Sequence, residues 1–169
     1  LITADSILGN IKNDSMKEKY RAMSSKSLCE VVRINRLESQ RVRMRKSSDK
    51  GTDIAITLPS GSHLRHGDVI LLTDNKMVVV ELEPENVAVI EITHLHDDDA
   101  IEVPVRIGHT IGNLHRPIKL QENKIIFPIQ ADSEIDMFKK LLGYMMHHVE
   151  IRSAKMVFEP GEGMDVHEH

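Results

Sequence analysis

Apolar and polar residues alternate along the first half of the chain and settle into a longer period in the second. From Leu28 onward, LCEVVRI, RVRMRKSSDKGTDIAITL, GSHLRHGDVILL and MVVVELE interleave β-branched with polar residues. The breaks carry Gly51, Pro59-Ser60-Gly61, Gly67-Asp68 and Asp74-Asn75. Alternation bounded by turn residues predicts short, half-buried strands. The opening LITADSILGNI reads as another short strand, ending in a turn at Gly9-Asn10. The polar residues 12 to 27 read as a loop holding one helical turn. The first half is expected to be an all-β unit of short strands.

Glu83-Pro84-Glu85 interrupts this pattern, because proline lacks the amide donor that a central strand needs. The expected domains are residues 1–83 and 84–160, with 161–169 as a flexible tail. In the second half NVAVIEI predicts a strand, and Asp97 to Asp99 supply N-cap and first-turn acids for a helix running to about Gly112. Pro104 falls near its first turn, where a missing N–H costs little. Ile101, Val105, Gly108 and Ile111-Gly112 share one side at helical spacing, and the glycines are expected to let that side approach a sheet.

PIKLQ and KIIFPI then form a hairpin around Glu122-Asn123. SEIDMFKKLLGYM follows as a helix with Ser133 as N-cap and Ile135, Phe138, Leu141, Leu142 and Met145 on one face, and VEIRSAKMVF closes as a strand. The β-α-β-β-α-β order predicts a ferredoxin-like domain, so the fold class is α+β. The final EPGEGMDVHEH lacks periodicity and reads as a mobile tail.

Composition narrows the function. A formal charge of −4, two tyrosines, three phenylalanines and no tryptophan disfavour a dedicated nucleic-acid binder, which needs a basic face and stacking aromatics. No apolar run approaches the ~20 residues of a membrane span, and the first residues lack a basic start before an apolar stretch, so a cytoplasmic protein is expected. Cys29 is the only cysteine, against ten histidines. Any metal must therefore be held by imidazole, carboxylate or backbone, and imidazole suits nickel, zinc and copper. No GxxxxGK[ST] phosphate loop is present, so no nucleotide hydrolysis is expected.

Among the histidines, His109 and His115 flank Ile-Gly-Asn in GHTIGNLHRP. Six residues apart, they cannot chelate one ion from a regular helix. If the helix stops near Gly112-Asn113, His115 stands just beyond it, either as a capping group or as a ligand that a two-fold axis could double. His167 and His169 are spaced for i, i+2 chelation, or are incidental polar residues. His94 and His96 lead into the acidic cap, His147 and His148 suit the end of the second helix, and His63 and His66 read as solvated. Arg41, Arg43 and Arg45 share one strand face, as a solvated charged edge or a dock for an acidic partner. Cys29 reads as a buried apolar residue rather than a nucleophile.

At IGHTIGNLHRPI the sequence resembles the urease accessory protein UreE family, which carries a Gly-Asn-Arg-His segment followed by a small residue or proline. Here it reads Gly112-Asn113-Leu114-His115-Arg116-Pro117. The arginine-rich strand, the Leu-Pro-x-Gly turn and the Leu-x-x-Gly-Asp-Val/Ile-Leu signature are matched within RVRMRKSSDKGTDIAITLPSGSHLRHGDVILL. The closing Phe-Glu-Pro element is matched at MVFEPGEG.

The resemblance implies a nickel metallochaperone without catalytic activity of its own. It also implies a peptide-binding-like N-terminal domain, a ferredoxin-like metal-binding and dimerisation domain, and a homodimer, with a dimer of dimers left open. Nickel would bind His115 at the dimer axis, with His167 and His169 as secondary ligands and zinc or copper as competitors. The implied partners are the urease GTPase UreG and the urease maturation complex. Leu114 departs from the family arginine, and IIFPIQA lacks the auxiliary His-x-His pair of some members.

Two symmetry-related imidazoles with open positions would hold nickel exchangeably, more weakly as pH falls and the rings protonate. The alternative is a protein-interaction scaffold of the maturation complex with incidental metal binding. A further rival is an enzyme using His109 or His115 as general base with one of Asp97 to Asp99, though no nucleophile or complete metal triad accompanies them.

Overall fold

A computed structural model describes residues 1–164. The chain divides into two compact units, Leu1–Glu83 and Pro84–His169. In chain order the first unit runs β1 (Ile2–Ala4), β2 (Gly9–Asn10), α1 (Asp14–Ser25), β3 (Cys29–Ile34), α2 (Arg36–Ser39), β4 (Arg43–Ser47), β5 (Asp53–Thr57), β6 (Asp68–Leu72) and β7 (Met77–Leu82). β1, β5 and β4 form one sheet in that order, and β2, β6, β7 and β3 form another. The β1–β5 and β3–β7 pairs are parallel.

This unit is mixed rather than all-β. Residues expected to loop form the three-turn helix α1, because Met16, Tyr20 and Met23 recur at i, i+4 and i+7 and pack with Val69, Met77 and Val79. Tertiary burial of one narrow stripe outweighs the polar average of the segment. α2 is set by a capping box in which the Asn35 side chain accepts from the Glu38 N–H and Glu38 accepts from the Asn35 N–H.

A buried carboxylate ties the strands together. Ser48 Oγ donates to Glu30 at 2.7 Å, and Lys76 Nζ lies 3.3 Å away while donating to Thr52. Burial pushes the Glu30 carboxyl up, but the hydrogen bonds from Thr52, Ser48 and Lys76, with the Lys76 charge, outweigh it and leave it below the usual range.

The second unit runs β8 (Glu85–Ile92), a 3-10 turn (Asp97–Asp99), α3 (Glu102–Asn113), β9 (Lys119–Gln121), β10 (Lys124–Pro128), α4 (Glu134–Leu142), a second 3-10 turn (Gly143–His147) and β11 (Val149–Met156). One antiparallel sheet has the order β11-β8-β10-β9. Alternation along β8 and β10 sends Ala88, Ile90, Ile125 and Phe127 to one side, where Val103, Ile107, Ile111, Phe138 and Leu142 of the two helices cover them. Val87, Val89 and Ile126 face the other way and pack with Phe158.

Several expectations change here. α3 starts at Glu102, after Ile101, so Asp97 to Asp99 form their own 3-10 turn and do not cap it. Its buried stripe is Val103, Ile107 and Ile111, whereas Ile101 and Val105 are 78% and 63% exposed. A Cβ added at Gly108 or Gly112 would meet nothing within 4 Å, so these glycines do not serve approach to the sheet. Ser133 occupies the N-cap of α4 but its side chain makes no capping bond, and Leu141 is half exposed. The expected tail is anchored through Met164. Phe158 is buried, Gly161 N–H donates to the Ile118 carbonyl (3.0 Å), and Ile118 N–H donates to the Met164 carbonyl (3.3 Å).

Phe138 is fully buried with its ring centroid 4.7 Å from that of Phe127. Phe138→Ala is expected to cost about 3–5 kcal/mol, read as a shifted urea midpoint for the second unit. A loss under about 1 kcal/mol would mean that this core collapses around the gap.

Candidate metal site

The end of α3 is built by a backbone closure. His115 N–H donates to the Gly112 carbonyl (2.9 Å) and Arg116 N–H to the Ile111 carbonyl (3.4 Å), with Leu114 as C-cap. These two bonds make a Schellman motif, which requires a left-handed residue where glycine is usual. His115 takes that position, with φ +54°. A left-handed conformation costs a non-glycine residue roughly 1–2 kcal/mol, so the imidazole is carried at a strained corner. The residue is exposed, as are its neighbours Asn113 and Leu114.

The residues after His115 are held on three sides. Arg116 donates from Nη1 to the Pro128 carbonyl (2.7 Å) and from Nη2 to Glu134 Oε1 (2.6 Å). Glu134, the first residue of α4, accepts at its other oxygen from the Gln130 and Ala131 N–H groups. Burial pushes the Glu134 carboxyl up, but these bonds together with the Arg116 charge hold it below the ordinary glutamate range. Pro117 is buried, and Ile118 is bound by the segment that ends at Met164. Spacing gave no hint of the Arg116–Glu134 pair, because the partners lie 18 positions apart.

The other histidines disperse. His109 lies on α3 with its Nδ1 3.3 Å from Asn113 Nδ2. His94 and His96 are exposed beyond the end of β8, so no strand face aligns them. His148 spans the loop, its Nδ1 2.9 Å from the His94 carbonyl and its Nε2 3.8 Å from Asp99. His63 and His66 are half-buried, not solvated, and His66 Nδ1 accepts the Leu82 N–H at 3.0 Å. His167 and His169 lie outside the described residues. Among the described residues, no three His, Cys, Asp or Glu side chains gather to hold a metal.

Cys29 is half-buried within the α1 cluster, and burial raises its thiol. On β4, Arg43 and Arg45 face solvent, with Arg45 paired to both Asp53 oxygens (2.8 and 2.6 Å), whereas Arg41 precedes the strand.

Residues 4–83 match the family described as UreE urease accessory protein, N-terminal domain. The full chain aligns with 80% of the length of the urease accessory protein UreE of Yersinia mollaretii at 28% identity. It aligns equally far with those of Yersinia pestis (strain Pestoides F) and Yersinia pseudotuberculosis at 27%. The chain carries a UreE N-terminal domain and is similar to UreE proteins along its whole length. Its UreE N-terminal domain coincides with the first compact unit, and the relatives are similar through the second as well. No helix among the described residues is long and apolar enough to cross a membrane.

His115→Gly is expected to raise the stability of the second unit by about 0.5–1 kcal/mol, since relief of left-handed strain exceeds the added unfolded-state freedom. A lower denaturation midpoint would show that the ring's own contacts outweigh the strain. The depressed Glu134 carboxyl contributes stability that is complete above the ordinary glutamate range near pH ~4.3 and fades as pH falls through its lower folded value. Thermal melts from pH 7 to 3 should show a shallower acid decline in Glu134→Gln than in the wild type.

Proposed function

We propose that this chain is a nickel metallochaperone for urease assembly, acting in the cytoplasm as a homodimer and catalysing nothing itself. Its cargo is Ni2+, with Zn2+ or Cu2+ as competitors. His115 is the primary ligand, shared across a two-fold axis, and His167 and His169 are secondary ligands. Residues 1–83 form the peptide-binding-like domain. Residues 84–160 form a ferredoxin-like domain that dimerises, a reading supported by its strand order β11-β8-β10-β9 with both helices packed into one core cluster. The tail begins at 161. UreG and the urease maturation complex receive the metal, and a dimer of dimers could gather four chains around one ion.

The observation that carries this reading is an exposed imidazole at the left-handed corner that ends α3. The same helix turns Ile101, Val105, Gly108 and Gly112 away from its own core, an apolar stripe suited to a second copy. A single imidazole binds a divalent ion weakly, and symmetry supplies the second without new sequence. Ile118, three residues past His115, donates its N–H to the Met164 carbonyl, so the last described residues run close to the site in sequence order. Nickel stands high in the affinity order for nitrogen ligands, so few ligands and open positions favour hand-over.

Nickel titration by calorimetry, with light scattering for mass, is expected to give about one tight ion per dimer, lost in His115→Ala. Undiminished binding in that variant would move the site elsewhere. If urease maturation under limiting nickel also survived His115→Ala, the scaffold reading would replace this one.

A further inference from the structure

We propose that Arg116 and Glu134 form a positioning clamp that fixes the direction of the His115 imidazole, so that metal affinity depends on two residues that do not touch the metal. The inference rests on His115 being the nickel ligand. A Schellman closure alone leaves the segment beyond it hinged on a few backbone bonds, and His115 holds a conformation that non-glycine residues leave readily. Arg116 removes that freedom. Its guanidinium engages the Pro128 carbonyl at the end of β10 and the Glu134 carboxylate at the start of α4. The next residue of the chain after the ligand is thereby joined to two elements of the core.

The clamp is closed on its far side as well. Glu134 Oε1 takes the guanidinium, while Oε2 takes the Gln130 and Ala131 N–H groups, so both oxygens are engaged. Both side chains are about four-fifths covered. A planar guanidinium can serve a carbonyl and a carboxylate together, which a lysine ammonium does less well.

Charge is arranged to suit a cation nearby. An unpaired arginine adjacent to the ligand would repel a divalent ion, but the Arg116 charge is turned toward Glu134 and neutralised there. Groups that orient a ligand through a second layer of contacts commonly alter metal affinity by 10–100-fold. The clamp supplies such a layer through the backbone that carries the ring.

The test is nickel titration of the full-length wild type, Arg116→Ala, Arg116→Lys, Glu134→Gln and His115→Ala, with X-ray absorption on the loaded samples and melts on all. Arg116→Ala is expected to bind about 10-fold more weakly with histidine ligation retained. Arg116→Lys should fall between it and the wild type, and Glu134→Gln should weaken binding in the same direction. Ile151→Val, a small core change away from the clamp, calibrates the effect of stability loss alone. If Arg116→Ala and Glu134→Gln bind as the wild type does while His115→Ala does not, the clamp is overturned and the metal reading stands. If His115→Ala binds normally, the metal reading itself fails. Equal weakening in Ile151→Val at matched stability would assign the effect to folding and also overturn the clamp.

Discussion

Burial of Val103, Ile107 and Ile111 against the sheet determines the orientation of α3, and the geometry of the candidate site follows from it. Each such side chain contributes about 1.5–3 kcal/mol when removed from water, so the stripe sets the rotation of the helix with little competition. Once these three residues face the sheet, Ile101, Val105 and the two glycines must face away, and the helix must end where its backbone can turn. His115 inherits its place from that rotation and from the closure beneath it.

The fold combines two solutions to the same problem of satisfying backbone groups. In the N-terminal unit, short strands in two sheets are tied by a buried Glu30 whose hydrogen bonds outweigh its desolvation. In the C-terminal unit one antiparallel sheet is covered by helices on one side and partly by Phe158 on the other. The segment that carries Phe158 then returns to Ile118, so the last described residues run beside the stretch that follows His115.

Much of this was legible in the sequence, and the failures have identifiable causes. Strands announced by period-two alternation and glycine turns were found, because half-buried sheets write that pattern directly. The polar average of α1 hides its three-residue stripe, although Met16, Tyr20 and Met23 at i, i+4 and i+7 carry the signal. α3 carries two apolar stripes at helical spacing, and its sequence alone favours the one with glycines as the core face. Only tertiary packing could decide between them. GHTIGNLHRP correctly pointed to a helix end before His115, since Gly-Asn there is a stop signal. The Arg116–Glu134 pair and the His66–Leu82 bond had no local signature, being contacts between distant segments.

The open space above Gly108 and Gly112 has a consequence for how this chain tolerates change. Each glycine weakens a helix interior by about 1 kcal/mol relative to alanine, and at these two positions no atom of the described residues stands in the way of a methyl group. For an isolated chain, alanine at both would be an improvement without a steric cost. Among the described residues, then, packing does not call for glycine at either position, and the bare strip along α3 is a feature that the core of this unit does not require.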